Sequence, residues 1–319
     1  MKRIAVLTSG GDAPGMNAAI RSIVRTAIFH RLEVIGVKRG YCGLIEGDYA
    51  KMNLGSVSDV IHRGGTILGT ARCRDFFNEE GRQTALLKMR QARIEGLIAI
   101  GGDGTFNGAA KLDNSGMPVI AVPGTIDNDI ACTDRTIGFD TVINTVLDAI
   151  NKIRDTATSH ERIFVIEVMG RNSGAIALAA GLAGGAESIL IPEIPLNLEQ
   201  VVSNIKRGIA RGKRHSIIVL AEGLANSLDI TKQIEAMAQL ETRLTILGYL
   251  QRGGTPTAQD RILASRMGAE AVYMLLRGER NKMVASKGDM ITSVDIECAL
   301  LQKKELNFQD YKLAGILSR

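Results

Sequence analysis

The chain has 319 residues, 45% hydrophobic and 23% charged, and its 39 basic and 34 acidic side chains leave a formal net charge of +5. This composition excludes a disordered chain and predicts a large core in about two domains. The basic residues form no runs with interleaved aromatics, no apolar stretch approaches membrane-spanning length, and tryptophan is absent; nucleic-acid and membrane partners are not expected, and small anionic ligands are.

Short apolar, β-branched runs predict strands at 4–8, 33–37, 96–100, 118–122, 163–168, 188–192, 216–222 and 244–250. Their nearly continuous apolar character predicts burial on both faces, as in a parallel sheet. Helical periodicity appears between them at 16–30, 139–154, 199–211 and 258–277. The alternation predicts an α/β protein with mostly parallel, doubly wound sheets. Six prolines and no low-complexity linker leave the domain boundaries unmarked, and a break is placed near 139. Cys42, Cys73, Cys132 and Cys298 lie far apart with no CxxC pair, so neither a zinc site nor a disulfide framework is indicated, and a reducing cytoplasm fits. The apolar stretch near the N-terminus is too short for a signal peptide.

Glycine clusters follow the strands. In open parallel sheets, ligands bind at the carboxyl ends of strands, where backbone N–H groups and helix N-termini point outward. "TSGGDAPGMNAA" (8–19) has P-loop glycine spacing, but Met16 and Asn17 stand where lysine and a hydroxyl residue are required, leaving either an anion-binding turn or a tight turn alone. "GGDGT" (101–105) lacks the third glycine of a dinucleotide fingerprint. It either forms a tight turn alone, or its amides approach a polyphosphate while Asp103 holds Mg²⁺, directly or through water. "PGTIDND" (123–129) sets Asp127 and Asp129 one residue apart; they either flank a solvated turn or face a magnesium ion, a cation or a substrate hydroxyl.

Taken in order, "TSGGDAPGMNA", "GGDGT", "PGTIDND", "GFDT", "RDTATSHER", "EVMGRNSG", "AEG" and "QRGGTPTAQDR" resemble the ATP-dependent 6-phosphofructokinase family in its short bacterial form, over essentially the whole chain and most weakly after about 280. The resemblance implies transfer of the γ-phosphoryl of ATP to fructose 6-phosphate. Asp127 would be the base for the sugar 1-hydroxyl, Asp129 would assist at the magnesium site, and Arg72, Thr125 and Arg171 would complete the catalytic set. It implies nucleotide contacts at Gly11, Arg72, Cys73, Gly102, Asp103, Gly104 and Thr105, with Mg²⁺ at Asp103. Sugar-phosphate contacts would fall at Thr125, Asp127, Met169, Gly170, Arg171, Glu222, Tyr249 and Arg252. Arg162 and Arg243 would reach in from a neighbouring subunit of a homotetramer. The allosteric site for ADP-type activators and phosphoenolpyruvate-type inhibitors would comprise Arg21, Arg25, Arg154, Gly185, Arg211, Lys213, Arg214 and His215, with Glu187 as a second Mg²⁺ ligand.

Three departures from the family pattern stand out. Tyr249 replaces a histidine beside the sugar phosphate; it either weakens sugar binding or is a packed strand residue. Gly55 and Ala175 stand where relatives carry an aromatic and an aspartate, and nucleotide activation is expected to weaken before catalysis does. Pyrophosphate-dependent relatives typically have aspartate and lysine at the positions of Gly104 and Gly124, and two missing Cβ atoms predict room for ATP. A lipid or NAD kinase would keep GGDGT without the later motifs. A non-catalytic sensor should have lost Asp103, Asp127 or Arg171, and all three are present. The expected domains are 1–138 with 251–300 for ATP, and 139–250 with 301–319 for the sugar phosphate.

Overall fold

The computed structural model describes residues 1–318, and contacts divide the chain into two compact units. The first comprises residues 1–126, 130–141 and 252–304; the second comprises 127–129, 142–251 and the segment from 305 onward.

The first unit opens with β1 (Arg3–Thr8), α1 (Met16–Phe29), β2 (Glu33–Val37), α2 (Tyr41–Glu46) and β3 (Tyr49–Met52), followed by α3 (Glu79–Gln91), β4 (Gly96–Gly101), α4 (Asp103–Asn114) and β5 (Val119–Pro123). The chain enters the second unit along α5 (Phe139–His160), then forms β6 (Ile163–Val168), α6 (Ala175–Ala183), β7 (Ser188–Leu190), α7 (Leu198–Ala210), β8 (Ser216–Ala221), α8 (Ser227–Ala238) and β9 (Thr242–Ile246). It returns to the first unit for α9 (Ala258–Leu276), β10 (Lys282–Lys287), β11 (Met290–Asp295) and α10 (Ile296–Leu301), and α11 (Phe308–Leu317) belongs to the second.

The first sheet has seven strands in the order β11-β10-β5-β4-β1-β2-β3, parallel except for the β2–β3 and β10–β11 pairs. Both faces are covered, as the apolar runs predict. Ala5, Leu7, Leu97, Ala99, Val119 and Ala121 join one core cluster, while Ile4, Val6, Ile98 and Ile100, alternating with them along the strands, are equally inaccessible. The second sheet has four parallel strands, β7-β8-β6-β9, and its core joins Val165, Ile218 and Leu220 to Val201, Ile205, Ile230 and Ile234 from α7 and α8. Asn197 and Asn226 start those two helices by accepting backbone N–H bonds, which settles donors no intrahelical carbonyl can reach.

The predicted strands and helices are present with shifts at their ends, and β3, β10 and β11 are additions. One expectation is corrected: the run 244–250 is β9 only as far as Ile246, and Gly248–Gln251 forms a 3₁₀ turn entered by Gly248 at φ +51°. Tyr249 lies in that turn, 80% exposed, and is not a packed strand residue. Among the described residues no helix is long and apolar enough to cross a membrane.

Candidate active site

In the first unit, three turns meet at the carboxyl ends of β1, β4 and β5. The turn after β1 bends at Gly10 (φ +85°) and opens α1 through Gly15 (φ +102°). Thr105, buried in the first turn of α4, donates its hydroxyl to the Ser9 carbonyl at 3.0 Å and ties this turn to GGDGT. A Cβ on Gly101 would lie 2.3 Å from that hydroxyl oxygen and 2.4 Å from Ser9 O, so only glycine permits the approach. The Thr105 hydroxyl uses its proton to join the two turns and keeps its acceptor lone pairs, whereas the sequence assigns it only to the nucleotide.

Asn17 has the opposite history: the sequence registers it only as a failed P-loop position. Its amide donates to the carbonyls of Arg63 and Gly64 at 3.0 and 3.1 Å and accepts from the Ile67 amide at 2.7 Å. Thr8 and Thr70 hydroxyls add bonds to Gly69 O (3.0 Å) and Gly10 O (2.7 Å), so the segment leading to Arg72 and Cys73 is fastened to the first glycine turn. Arg72 is exposed and Cys73 half-buried. The Arg252 guanidinium lies directly over Gly11, where an added Cβ would sit 2.5 Å from Nη1. The structure therefore brings Arg252 to the glycine turn of the expected nucleotide half.

Asp103 is exposed at the start of α4, after Gly102, where its charge complements the helix dipole. Nothing lies within 4 Å of a Cβ built on Gly104. One carboxylate beside open space suits Mg²⁺, which takes one or two carboxylates and completes its shell with phosphate oxygens and water. Among the described residues no group of three His, Cys, Asp or Glu could form an all-protein metal cage. Gly124 differs from Gly104: its Cβ would meet Ile100 Cγ2 at 2.9 Å and Met16 Cε at 3.3 Å. The open space is at Gly104; at Gly124 the missing Cβ serves core packing. Thr125 is half-buried, and its carbonyl accepts from the Thr136 hydroxyl at 2.7 Å.

In the second unit, Asp127 is almost wholly buried, with 7% of its side chain exposed, and its Oδ2 lies 3.5 Å from Arg171 Nε. Asn128 turns the chain at φ +50°, so Asp127 and half-buried Asp129 flank a left-handed residue. Arg171 is itself left-handed (φ +51°) and follows Gly170 at φ +138°. Four contacts hold that conformation. Arg171 N donates to Glu222 Oε1 at 2.9 Å; Met169 N donates to Oε1 of the fully buried Gln251 at 3.1 Å; Gly174 N donates to Glu193 Oε1 at 2.9 Å; and Gly223 packs so closely that its Cβ would lie 1.8 Å from Arg171 O. Gln251 and Gly223 are site-building residues that sequence reasoning missed, although both adjoin recognised motif residues.

Arg162 and Arg243 come together because β6 and β9 run in register, and both bind Glu241, Arg162 Nε at 2.6 Å. Of the expected allosteric residues, Arg154 donates to the Gly184 and Gly185 carbonyls, Lys213 pairs with Glu187, and the His215 ring meets the Thr158 hydroxyl at 3.3 Å. Burial pushes the His215 imidazole down, with nearby Glu187 opposing. Each Glu187 oxygen accepts one hydrogen bond, one from Lys213 and the other from the Ile217 N–H, so a magnesium ion at this carboxylate would share it with the Lys213 ammonium. Arg214 turns to Glu161 at 2.9 Å, and Arg211 is exposed near the end of α7. Arg21 and Arg25, four residues apart on α1, belong to the first unit. Ala175 is buried at the start of α6, and Gly55 lies in an exposed 3₁₀ turn.

The family model for phosphofructokinase matches residues 3–275, and the chain belongs to that family. A protein of Halothermothrix orenii described as ATP-dependent 6-phosphofructokinase is 60% identical over the full length of both chains, and one of Bacillus thuringiensis is 57% identical over the full length of both. The chain sits with those ATP-dependent 6-phosphofructokinases of short bacterial length, and is a phosphotransferase. The crystal structure of Pichia pastoris phosphofructokinase in the T-state superposes with a TM-score of 0.89 at 36% identity, covering 99% of this chain and 38% of that one. A pyrophosphate-dependent phosphofructokinase from Marinobacter aquaeolei has a TM-score of 0.84 at 25% identity, covering 97% and 86%.

Proposed function

We propose that the protein transfers the γ-phosphoryl of ATP to the 1-hydroxyl of fructose 6-phosphate, giving fructose 1,6-bisphosphate, with Asp127 as base. The observation that carries this reading is the buried Asp127 carboxylate facing Arg171, whose unusual backbone four separate contacts maintain. Asp127 takes the hydroxyl proton as the oxygen attacks. Arg171, beside that carboxylate, offsets charge as it moves to the transferring group. Arg72 and Thr125 position the phosphoryl group, and Asp129 would assist at the magnesium site.

Gly11, Cys73, Gly102, Gly104 and Thr105 hold the nucleotide, so residues 1–138 with 251–300 act as the ATP domain. Residues 139–250 with 301–319 bind the sugar phosphate through Met169, Gly170, Glu222 and Tyr249. Arg252 belongs to the substrate set while resting over the nucleotide turn. Asp103 would hold Mg²⁺, which supplies charge neutralisation on the phosphates when bound. The open space beside Gly104 supports ATP over pyrophosphate as donor.

The working form is a homotetramer in which Arg162 and Arg243 release Glu241 to bind the 6-phosphate of a neighbouring subunit's substrate, their planar forks matching phosphate oxygens. Arg154, Gly185, Lys213 and His215, with Glu187, Arg211, Arg214, Arg21 and Arg25, form the site for ADP-type and phosphoenolpyruvate-type effectors. The protein acts in the cytoplasm. The test is a coupled assay with fructose 6-phosphate and Mg²⁺, comparing ATP with pyrophosphate for wild type and Asp127→Ser. ATP-dependent turnover that drops about 10²–10⁴-fold in the variant is expected. Turnover with pyrophosphate alone, or an Asp127→Ser variant as fast as wild type, would overturn it.

A further inference from the structure

We propose that Cys132 and Cys298 form a reversible disulfide site. They are 166 positions apart in sequence, yet the fold brings their sulfurs to 3.7 Å, and both are half-buried thiols within reach of a small reagent. Gln302 engages the two sulfurs at once: its amide donates to Cys298 Sγ at 3.0 Å and its carbonyl oxygen lies 3.5 Å from Cys132 Sγ.

Both sides of the pair are anchored. Cys132 occupies a left-handed turn (φ +62°), and the next residue, Thr133, accepts from Ser286 N at 2.9 Å and donates to Arg135 O at 3.0 Å. Cys298 lies within α10, which packs on β10, β11 and α4. A disulfide needs an S–S distance of about 2.05 Å. Each sulfur must therefore move by less than about 1 Å from its place in the 3.7 Å contact, within the reach of side-chain rotation.

The oxidant is a small-molecule disulfide, RSSR. One cysteine thiolate attacks it, forming a mixed disulfide and expelling RS⁻. The second cysteine thiolate then attacks the protein sulfur of that mixed disulfide and expels a second RS⁻. The pair loses two electrons and two protons, RSSR gains both, and two RSH leave. Burial, and next the neighbouring Cys298 thiol, raise Cys132 above the ordinary thiol range, which slows the first attack at neutral pH. The second attack is intramolecular between sulfurs already in contact, so the mixed disulfide does not accumulate.

Cys132 follows Asp129 by three residues, so the bond ties the segment carrying TIDND to α10. The kinetic consequence rests on the proposed role of Asp127; the bond itself does not. The sulfur shift of less than about 1 Å lies five residues from Asp127, so only part of the roughly 10²-fold cost of misplacing a reacting group applies, and oxidation is expected to lower kcat by roughly threefold to tenfold.

The test incubates the full-length protein with oxidised glutathione, alkylates the remaining thiols and maps peptides without reduction. A linked Cys132–Cys298 peptide is expected, removed by dithiothreitol with recovery of turnover. In Cys298→Ser, a stable glutathione adduct on Cys132 should replace it, and Cys132→Ser should show the mirror image on Cys298. Persistent glutathione adducts on the wild-type pair would overturn the proposal. So would linkage to Cys42 or Cys73 instead, or two thiols that react only after unfolding. A linked peptide with unchanged turnover refutes the coupling to the Asp127 segment and leaves the bond established; the turnover of Asp127→Ser tests the catalytic reading separately.

Discussion

Gly223→Ala tests the architecture of the site without altering any group that could touch substrate. The added methyl would sit 1.8 Å from the Arg171 carbonyl oxygen, 2.8 Å from its carbon and 3.2 Å from Asn172 Cα. Contacts below 3.0 Å are not tolerated, so the two backbones must separate by about 1.2 Å. Neither has slack. Arg171 sits at φ +51° with its N–H on Glu222, and Glu222 immediately precedes Gly223, so separation strains the hydrogen bond that holds the turn. Overpacking of this kind costs about 1–3 kcal/mol in stability. Moving Arg171 by about 1 Å relative to Asp127 is the larger effect, and is expected to cost about 10²-fold in kcat/KM. Steady-state kinetics with varied fructose 6-phosphate, paired with thermal unfolding of the same preparation, separate the two effects. The expected result is a folded protein with kcat/KM reduced by roughly two orders of magnitude. A variant with wild-type kcat and KM would refute the argument that the backbone of Arg171 is held in place for catalysis.

Two further predictions follow from groups outside the reacting set. Tyr249→His restores a group that can become cationic at an 80% exposed position; KM for fructose 6-phosphate is expected to fall by about threefold to tenfold, more at pH 6 than at pH 8, with kcat little changed, and a pH-independent or absent KM shift would count against a role for this position in phosphate binding. Asp260 is buried at the start of α9, and its carboxylate accepts from Gly138 N (2.9 Å), Thr141 N (2.8 Å) and the Thr141 hydroxyl (2.5 Å). Burial raises its carboxyl above the ordinary 3.8, outweighing these bonds, so the native state takes up this proton before the unfolded chain does. Its contribution to stability is therefore fully present below 3.8 and lost as pH rises through the raised folded value. Asp260→Asn should remove that pH dependence from urea midpoints. It should also lower stability at pH 7 by about 1–3 kcal/mol, because an amide N–H now faces a backbone donor; an unchanged pH slope would show that another group carries it.

Much of the fold was legible because central parallel strands are apolar on both faces, as "GLIAI" and "IIVLA" are. The missed strands lie at or beside sheet margins. "YAKM" and "MITSVD" are the edge strands β3 and β11, each paired antiparallel with one neighbour and without a continuous apolar run; "KMVASK" joins β5 through only two residue pairs. The over-extended run at 244–250 shows the opposite error. Leu247, Tyr249 and Leu250 continue an apolar pattern past Gly248, but a left-handed glycine ends the strand and leaves Tyr249 and Leu250 exposed.

The candidate site divides along a similar line. Residues whose work is local could be read from short motifs: Gly15 opening α1, Asp103 at the first turn of α4, Arg171 beside Gly170. Residues whose work is to join distant motifs carry no local signature. Asn17 reads in sequence as a missing P-loop residue, whereas its three bonds to residues 63–67 need the fold. Gln251 is one letter of "QRGG" in sequence, and only the fold sets its buried amide against Met169. Glu241, between two arginines from adjacent strands, needed the register of β6 and β9 to be noticed at all. The cysteines make the same point: spacing in sequence argued for four unrelated thiols, while the fold sets Cys132 against Cys298. Motifs thus mark candidate positions, and the contacts that hold one motif against another required the structure, because nothing in a sequence records which distant segments share a turn.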